Sequence, residues 1–158
     1  MTTISNKAYL YLVKIISNRD YSEFKLREKL REKHFDDQEI DQAINEIKTK
    51  GYLREDVYSE SRVRIFMEKG YSPFFIRQKL AEEHLSLSSE EIDAVFLLHS
   101  LTPEDQIERL IRKKIQGKMV VDYAAENKIL RYLISKGHDF GDSKKVLKSI
   151  INQTSLRD

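Results

Sequence analysis

The 158 residues suffice for one ordinary domain or a short array of small units, and their scarcity of glycine (5) and proline (2) favours helix over a turn-rich sheet. The sequence has no cysteine, which excludes disulfides and thiolate chemistry, and no apolar stretch approaches the roughly 18 residues that a membrane span requires. The net charge is +2. The pI of about 8.6 lies below the pI of ~9 that marks a basic nucleic-acid footprint.

The first part of the chain predicts three helices. The first helix carries apolar residues at i, i+4, i+7 and i+8, namely Ala8, Leu12, Ile15 and Ile16. Ser22 can cap a second helix from about 23 to 33, because its hydroxyl can accept a free amide of the first turn. Asp36 with Glu39 predicts a capping box for a third helix, which Gly51 ends.

The middle of the chain repeats these devices. Asp56 is predicted to open a helix that Gly70 closes. Ser72 then caps a helix with proline at its first position, where a missing N–H does no harm. Ser88 precedes an acidic residue three positions later, Glu91, which again predicts a capping box.

The last part predicts three more helices. Thr102 and Asp105 begin the first of them, and Gly117 breaks it. A second helix runs from about 122 to 136, and Asp142 is predicted to cap the last one.

The sequence also repeats itself. YSEFKLREKL (21–30) returns as YSPFFIRQKL (71–80), and a fainter copy carried by apolar spacing lies near the C-terminus. We therefore predict an all-α fold of three tandem three-helix repeats, about nine helices, with limits 1–54, 55–101 and 102–158. Stacked repeats of this kind predict an elongated, curved body.

Charge differs among the three predicted repeats. Residues 1–54 hold 11 Lys and Arg against 9 Asp and Glu, residues 55–101 hold 5 against 9, and residues 102–158 hold 12 against 8. Their net charges are therefore +2, −4 and +4. Because an acidic middle would hinder a uniform wrap around a phosphate backbone, a protein partner is at least as plausible as nucleic acid.

The residues predict no catalytic site, no metal site and no cofactor. The four histidines are not paired at helical spacing, and we interpret His34 and His84 as capping carbonyls at helix C-termini. The glycines are isolated, so no phosphate-binding loop is present. The start of the chain lacks the basic leader of a signal peptide, which predicts a cytoplasmic location.

Basic residues are the main candidates for contact with a partner. Any one of them is more simply explained as solubilising helix surface, but the group at 112–118 has no acidic residue within that stretch. The candidates are Arg27, Arg31, Arg62, Arg64, Lys69, Arg77, Lys79, Arg112, Lys113, Lys114 and Lys118. The recurring aromatic residues are interpreted as core or inter-helix contacts rather than base-stacking platforms; they are Tyr21, Phe24, Tyr71, Phe74 and Phe75.

The order and spacing of several motifs resemble the RecX family, regulators of the RecA recombinase, over essentially the full length. The motifs are RDYS and KLREKL followed by KGYL, then KGYSPFFIRQKL, then RLIRKK, RYLISKGHDF and DSKKVL. Two departures are His34 and His84, where the family often has glycine.

The resemblance implies a non-enzymatic protein that binds the RecA filament on single-stranded DNA. It would then inhibit ATP hydrolysis and strand exchange and promote filament loss. We therefore expect the RecA filament as the partner, weak binding of single-stranded or duplex DNA, no membrane contact, and a monomer as the default form.

Two other interpretations stay open. The first is a helix-turn-helix DNA-binding regulator, although the helix after Asp37 has a poor charge for a major groove. The second is a helical-repeat adaptor for some other client, which only the quoted motifs distinguish from the family interpretation.

Overall fold

The structure is a computed structural model that describes residues 2–116 and 121–155, and in these ranges it contains nine α-helices and no strand. The helices are α1 Thr2–Ile16, α2 Glu23–Glu32, α3 Asp37–Thr49, α4 Glu55–Glu68, α5 Pro73–Glu82, α6 Ser89–Leu98, α7 Pro103–Ile115, α8 Tyr123–Ser135 and α9 Phe140–Ser155. The prediction of an all-α fold with about nine helices is confirmed. The predicted break at Gly117 lies outside the described residues.

The first of two compact units contains the chain up to Arg62 together with Leu80–Leu85. Its core is contributed by α1, α2 and α3, and consists of Ala8, Leu12, Leu26, Leu30, Ile40, Ala43, Ile44 and Ile47. The predicted stripe on α1 is therefore partly correct. Ala8 and Leu12 are fully buried, whereas Ile15 and Ile16 pack half-buried at the edge of the core.

The second unit contains Val63–Lys79 and the described residues from Ser86 onward. It has a core cluster from α7, α8 and α9, consisting of Ile107, Ile111, Ile129, Leu130, Leu133, Leu147 and Ile150. The division between the units falls inside α4 and α5, whereas the predicted repeats meet at 54/55 and 101/102. The repeat limits remain a prediction.

Helix caps follow the sequence closely. Ser22 Oγ accepts the amide of Lys25 at 3.2 Å, as predicted. A full capping box forms only at Thr102 among the predicted caps, where Thr102 N donates to Asp105 Oδ2 (3.0 Å) and Asp105 N donates to Thr102 Oγ1 (3.1 Å). The hydrogen bonds from Thr102, its backbone amide first, lower the pKa of Asp105.

The other two predicted capping boxes form their first half. Asp36 Oδ1 accepts the amide of Glu39 at 2.8 Å. Ser88 Oγ accepts the amide of Glu91 at 3.1 Å. The Glu91 carboxylate accepts a hydrogen bond from the Ser88 hydroxyl instead of from a backbone amide, so the second half of the box does not form.

Two predicted helix starts are displaced. The prediction that Asp142 caps α9 is wrong, because Asp139 Oδ2 accepts the amide of Asp142 at 3.0 Å and α9 begins at Phe140. The apolar spacing used for the prediction begins only after the exposed first turn, so it missed that turn. Similarly, α4 begins at Glu55, one residue before Asp56.

The histidines after α2 and α5 occupy positions that glycine usually takes. His34 and His84 have φ of 68° and 59°, in the left-handed region. At the first of these turns, His34 N donates to Arg31 O (2.9 Å) and Phe35 N to Leu30 O (3.2 Å). At His34 the main chain itself forms the turn. At His84 the ring stacks on Phe24, with ring centroids 3.5 Å apart. The prediction that these imidazoles cap carbonyls is wrong.

Candidate functional site

The connection between α4 and α5 positions a tyrosine at the surface of the second unit. Gly70 has φ +89°, which lets the chain leave α4 sharply. Ser72 Oγ accepts the amide of Phe75 at 3.2 Å and so caps α5, as predicted. Tyr71 lies between these two residues and donates its amide to Phe66 O at 3.1 Å. Its main chain is thereby fixed.

The connection between α8 and α9 is a second tight turn of the same unit. Lys136 ends α8, and Gly137 follows with φ +87°. His138 N donates to Leu133 O at 3.1 Å, which completes the turn. The backbone around Lys136 is therefore as well defined as that around Tyr71.

These two turns are joined directly. Ser72 N donates to Lys136 O at 3.0 Å, and His138 Nε2 donates to Gly70 O at 2.7 Å. Gly137 lies so close that an added Cβ would be 2.4 Å from Phe75 Cβ and 2.6 Å from Ser72 Oγ. The α4–α5 and α8–α9 turns, far apart in sequence, are thus held against each other.

Helix α7 supports the same junction through a buried glutamine. Gln106 is 2% exposed, and its Nε2 donates to Met67 O (3.1 Å) and Tyr71 O (2.9 Å). Because both contacts are to carbonyl oxygens, they fix the orientation of the amide. Helix α7 and the α8–α9 turn are therefore both tied to carbonyl oxygens of the 67–71 stretch.

Burial governs the charge of the histidine in this junction. His138 is 5% exposed, and burial lowers its pKa, although the hydrogen bond to Gly70 O acts in the opposite direction. The imidazole is therefore neutral at pH 7, with its proton on Nε2.

The junction brings lysines over aromatic rings. Lys136 Nζ lies 4.3 Å from the Tyr71 ring centroid and 5.6 Å from that of Tyr132. Lys114 Nζ lies 4.2 Å from the Tyr132 centroid, and Lys79 Nζ lies 5.3 Å from that of Phe75. We call this set the basic–aromatic surface; it consists of Tyr71, Phe75, Lys79, Lys114, Tyr132 and Lys136.

The positive charge of this surface is not neutralised locally at two of its lysines. Among the described residues, no carboxylate forms an ion pair with Lys114 or Lys136. An ammonium group over an aromatic ring is attracted by about 0.5–1 kcal/mol at an exposed site. The rings thus restrict the ammonium groups while leaving their charge available to a partner.

Two of the predicted contact residues on the first unit, Arg27 and Arg62, are already paired with acids. Arg27 Nη1 donates to Asp41 at 2.7 Å and its Nε to Glu23 at 3.0 Å, and the bond to Asp41 is the main reason that its pKa is raised. Arg62 forms two hydrogen bonds with Glu83, at 3.0 and 2.5 Å. These guanidinium groups hold helices together within the first unit.

The remaining predicted residues differ in setting. Arg112 Nε donates to Glu108 at 3.0 Å, an acidic partner that lies one turn before the 112–118 stretch. Lys79 and Lys114 belong to the basic–aromatic surface. Arg31, Arg64, Lys69, Arg77 and Lys113 are exposed. Lys118 lies outside the described residues.

Sequence reasoning missed Lys136 and Tyr132, which complete the surface. The interpretation of the recurring aromatic residues as core is wrong for Phe74, which is 68% exposed, while Tyr71 and Phe75 are half-buried and stack with centroids 5.4 Å apart. The available signal was the repeated spacing of Tyr21 to Lys29 and Tyr71 to Lys79, since Lys29 also lies over the Tyr21 ring, at 5.2 Å.

A cleft of about 510 Å³ lies on the first unit, and it has a mixed charge. Basic and acidic side chains both line it, together with the stacked rings of Phe24 and His84. Its charged side chains are Arg19, Lys25, Lys29, Glu28, Glu82 and Glu83. Burial, and then the charge of Glu83, raises the pKa of Tyr58 in its wall. This mixed charge sets the cleft apart from the basic–aromatic surface.

The part of the chain that the structure describes contains no cluster of three or more histidine, aspartate or glutamate side chains suited to a metal ion. It also contains no helix of sufficient length and apolarity to cross a membrane.

Comparison with known proteins identifies the family. Residues 8–46 match the model described as RecX, first three-helix domain. The protein named regulatory protein RecX of Haemophilus influenzae strain PittEE is 33% identical over 135 residues, which cover 85% of this chain and 88% of that protein. The protein of the same name from Pasteurella multocida is 31% identical, covering 85% and 82%.

Solved structures agree in fold. The crystal structure of RecX from Lactobacillus salivarius superposes with a TM-score of 0.73 at 19% identity, covering 94% of this chain and 97% of that one. A second crystal structure of a regulatory protein RecX gives 0.71 at 18% identity, covering 92% and 72%. The relatives of more than 30% identity over 85% of this chain show that it belongs to the RecX family.

Proposed function

We propose that this chain is a non-enzymatic modulator of RecA, mainly an inhibitor, that binds RecA filaments on single-stranded DNA. Bound there, it suppresses ATP hydrolysis and strand exchange. The observation that carries the proposal is the match to proteins named regulatory protein RecX over 85% of this chain at 33% identity. The acting form is a monomer in the cytoplasm, where RecA meets DNA.

The basic–aromatic surface is the proposed contact with the filament. Lys114 and Lys136 keep their charge available, and the joined turns fix the backbone beneath Lys136 and Tyr71. A preformed charged surface loses little conformational entropy on binding, which favours affinity. By contrast, Arg27 and Arg62 would have to leave their acidic partners, so we assign them a structural role within the first unit.

The proposal is tested by measuring RecA ATPase on single-stranded DNA while this protein is titrated in. We expect substoichiometric inhibition by the wild type, because one bound molecule can affect many protomers of a filament. Replacing Lys79, Lys114 and Lys136 together by glutamine should weaken inhibition at least about tenfold, since each charge lost from an interface costs on the order of 0.5 kcal/mol or more.

A matched control removes the same charge elsewhere. Lys7, Lys14 and Lys148 are exposed and lie outside the surface, so their glutamine triple variant has the same net charge and should inhibit like the wild type. An unaffected ATPase with wild-type protein would reject the proposal. Tight binding to duplex DNA in the absence of RecA would favour the helix-turn-helix alternative instead.

A further inference from the structure

We infer that the exposed side of α6 docks onto a protein surface that presents basic side chains beside an apolar pocket. We call this side the α6 face; it consists of the exposed residues Glu90, Asp93, Ala94, Leu97 and Leu98. The inference rests on the proposed function for the identity of the partner, the RecA filament. It adds a contact whose charge is opposite to that of the basic–aromatic surface.

The α6 face carries two neighbouring leucines that the fold leaves in water. Leu97 and Leu98 are 80% and 73% exposed. The same helix buries its other large apolar side chains, which are Ile92, Val95 and Phe96. Apolar side chains that are exposed singly are ordinary, whereas adjoining ones mark sites of interaction. The two leucines together therefore call for a partner.

Helix α3 shows which residues the same positions hold elsewhere in the chain. The tripeptide EID at 39–41 returns at 91–93, so that Asn45 and Glu46 hold the places of Leu97 and Leu98. Asn45 is exposed, and Glu46 pairs with Lys50 at 3.2 Å. Polar residues thus satisfy these positions in a three-helix arrangement, and the leucines of α6 are not needed for folding.

The turn after α6 fixes the leucines in place. Ser100 N donates to Leu97 O and Leu101 N donates to Phe96 O, both at 3.0 Å. Ser100 has φ 52°, in the left-handed region, and Leu101 is buried directly after it. Because the backbone is already ordered, docking through these leucines loses little conformational entropy.

Acidic side chains adjoin the leucines on the same side of the helix. Helical periodicity places Asp93 one turn and Glu90 two turns before Leu97. Among the described residues, neither carboxylate forms an ion pair. Glu90 also favours the N-terminus of the helix, but Asp93 lies beyond the first turn. At 1.5 Å per residue, a matching partner has cations about 6–10 Å from its apolar pocket.

This charge separates the inferred partner from other occupants. Nucleic acid and anionic membranes carry the same sign as the α6 face and would be repelled. A two-fold contact with a second copy would set the acids of α6 against the acids or the leucines of the other α6. Neither arrangement supplies a cation, and a carboxylate against a leucine loses its water without compensation. A basic protein surface fits both parts of the face.

The first experiment makes the leucine positions polar, as they are in α3. The variant Leu97→Asn/Leu98→Gln changes exposed side chains, so its circular dichroism and thermal unfolding should match the wild type. Its binding to RecA filaments on single-stranded DNA, measured by cosedimentation, should weaken at least about tenfold, since apolar anchors carry much of the affinity of an interface. Leu10→Asn, at an exposed leucine of α1, is the control and should bind like the wild type.

The second experiment removes the acidic charges. Glu90→Gln/Asp93→Asn should bind RecA filaments at least about threefold more weakly at low salt than the control Glu32→Gln/Glu60→Gln, and the difference should shrink at high salt. The control has the same net charge and changes two exposed glutamates outside α6. Equal binding of the two variants at low salt would show that the partner surface is not basic and would overturn the inference.

A probe without RecA keeps the two claims apart. The wild type should bind a helical peptide of leucines and lysines at least about tenfold more tightly than the same peptide with glutamates, and the leucine variant should lose this preference. If the wild type inhibits RecA and the leucine variant inhibits and binds equally well, the inference fails and the proposed function stands. If the wild type prefers the lysine peptide but does not bind RecA filaments, the proposed function fails alone. Self-association in the ultracentrifuge that the leucine variant abolishes would identify a second copy as the occupant and overturn the inference.

Discussion

The imidazole of His138 donates its Nε2–H to the carbonyl oxygen of Gly70 at 2.7 Å, across 68 positions of sequence. A carbonyl oxygen can only accept, so the bond places a proton on Nε2, and the neutral imidazole is the Nε2–H tautomer. A second proton would have to go to Nδ1, in a side chain that is 5% exposed. The junction that fixes Tyr71 and Lys136 is therefore built around a histidine that resists protonation.

This relationship predicts that stability falls in mild acid. Burial lowers the pKa of His138 in the folded protein, whereas the unfolded chain has the ordinary value of about 6.5. Below about pH 6.5 the unfolded chain therefore takes up a proton first, and the free energy of unfolding decreases as pH falls. The decrease levels off once the folded imidazole is also protonated. Urea unfolding between pH 7.5 and 5 measures it.

The glutamine variant supplies the test of that prediction. His138→Gln can still donate to Gly70 O but does not titrate, so its free energy of unfolding should depend less on pH in this range. His99→Gln changes an exposed histidine and should retain the wild-type dependence. Identical pH dependence in wild type and His138→Gln would contradict the role given to His138.

Local features of the fold were predictable because their causes lie within a few residues. Ser22 caps α2 through an amide three residues later, and Thr102 does the same for α7. Gly51 and Gly70 have positive φ directly after helices that they were predicted to end. In each of these cases, residue type and spacing carry the whole physical argument.

The site was less predictable because its contacts cross large sequence separations. Nothing near Lys136 in sequence indicates that its ammonium group lies over Tyr71, since the contact depends on two turns joined through Ser72 and Gly137. Likewise, Arg62 is paired with Glu83, 21 residues away. Counting basic residues could not separate charges that are paired from charges that are available.

Gly137 should be the least replaceable glycine of this junction. In Gly137→Ala the new Cβ would lie 2.4 Å from Phe75 Cβ, and the residue would keep φ +87°. Overpacking costs about 2 kcal/mol and the left-handed backbone about 1 kcal/mol, so we expect a loss of about 3 kcal/mol. Chemical denaturation measures the loss.

Gly51 provides the comparison. It has φ +74°, but an added Cβ would meet nothing within 4 Å. Gly51→Ala should therefore lose only the backbone contribution of about 1 kcal/mol. If both variants lost the same free energy of unfolding, the close approach of Gly137 to Phe75 and Ser72 would add nothing to the cost of the new Cβ.

Replacing His34 by glycine should make the protein more stable. His34 has φ 68° in an exposed turn, where a side chain is strained and glycine is not. His34→Gly should raise the free energy of unfolding by about 0.5–1 kcal/mol, because relief of strain exceeds the added entropy of the unfolded chain. Lys33→Gly, at φ −86°, should instead lower it by a similar amount. A destabilised His34→Gly would show that the imidazole makes a favourable contact.

Two alanine substitutions test where α9 begins. The sequence predicted Asp142 as its N-cap, whereas the structure has Asp139 in that position. Asp139 accepts the amide of Asp142 at 3.0 Å, and Asp139 O accepts that of Ser143 at 2.9 Å. Asp139→Ala should therefore cost about 1 kcal/mol, the usual value of an N-cap. Asp142→Ala removes only a favourable charge from the first turn and should cost about 0.5 kcal/mol. The two are compared by thermal and urea unfolding, and a larger loss at Asp142 would restore the later helix start. Because α9 begins two residues after His138, loosening its cap should also increase amide exchange at Gly137 and His138.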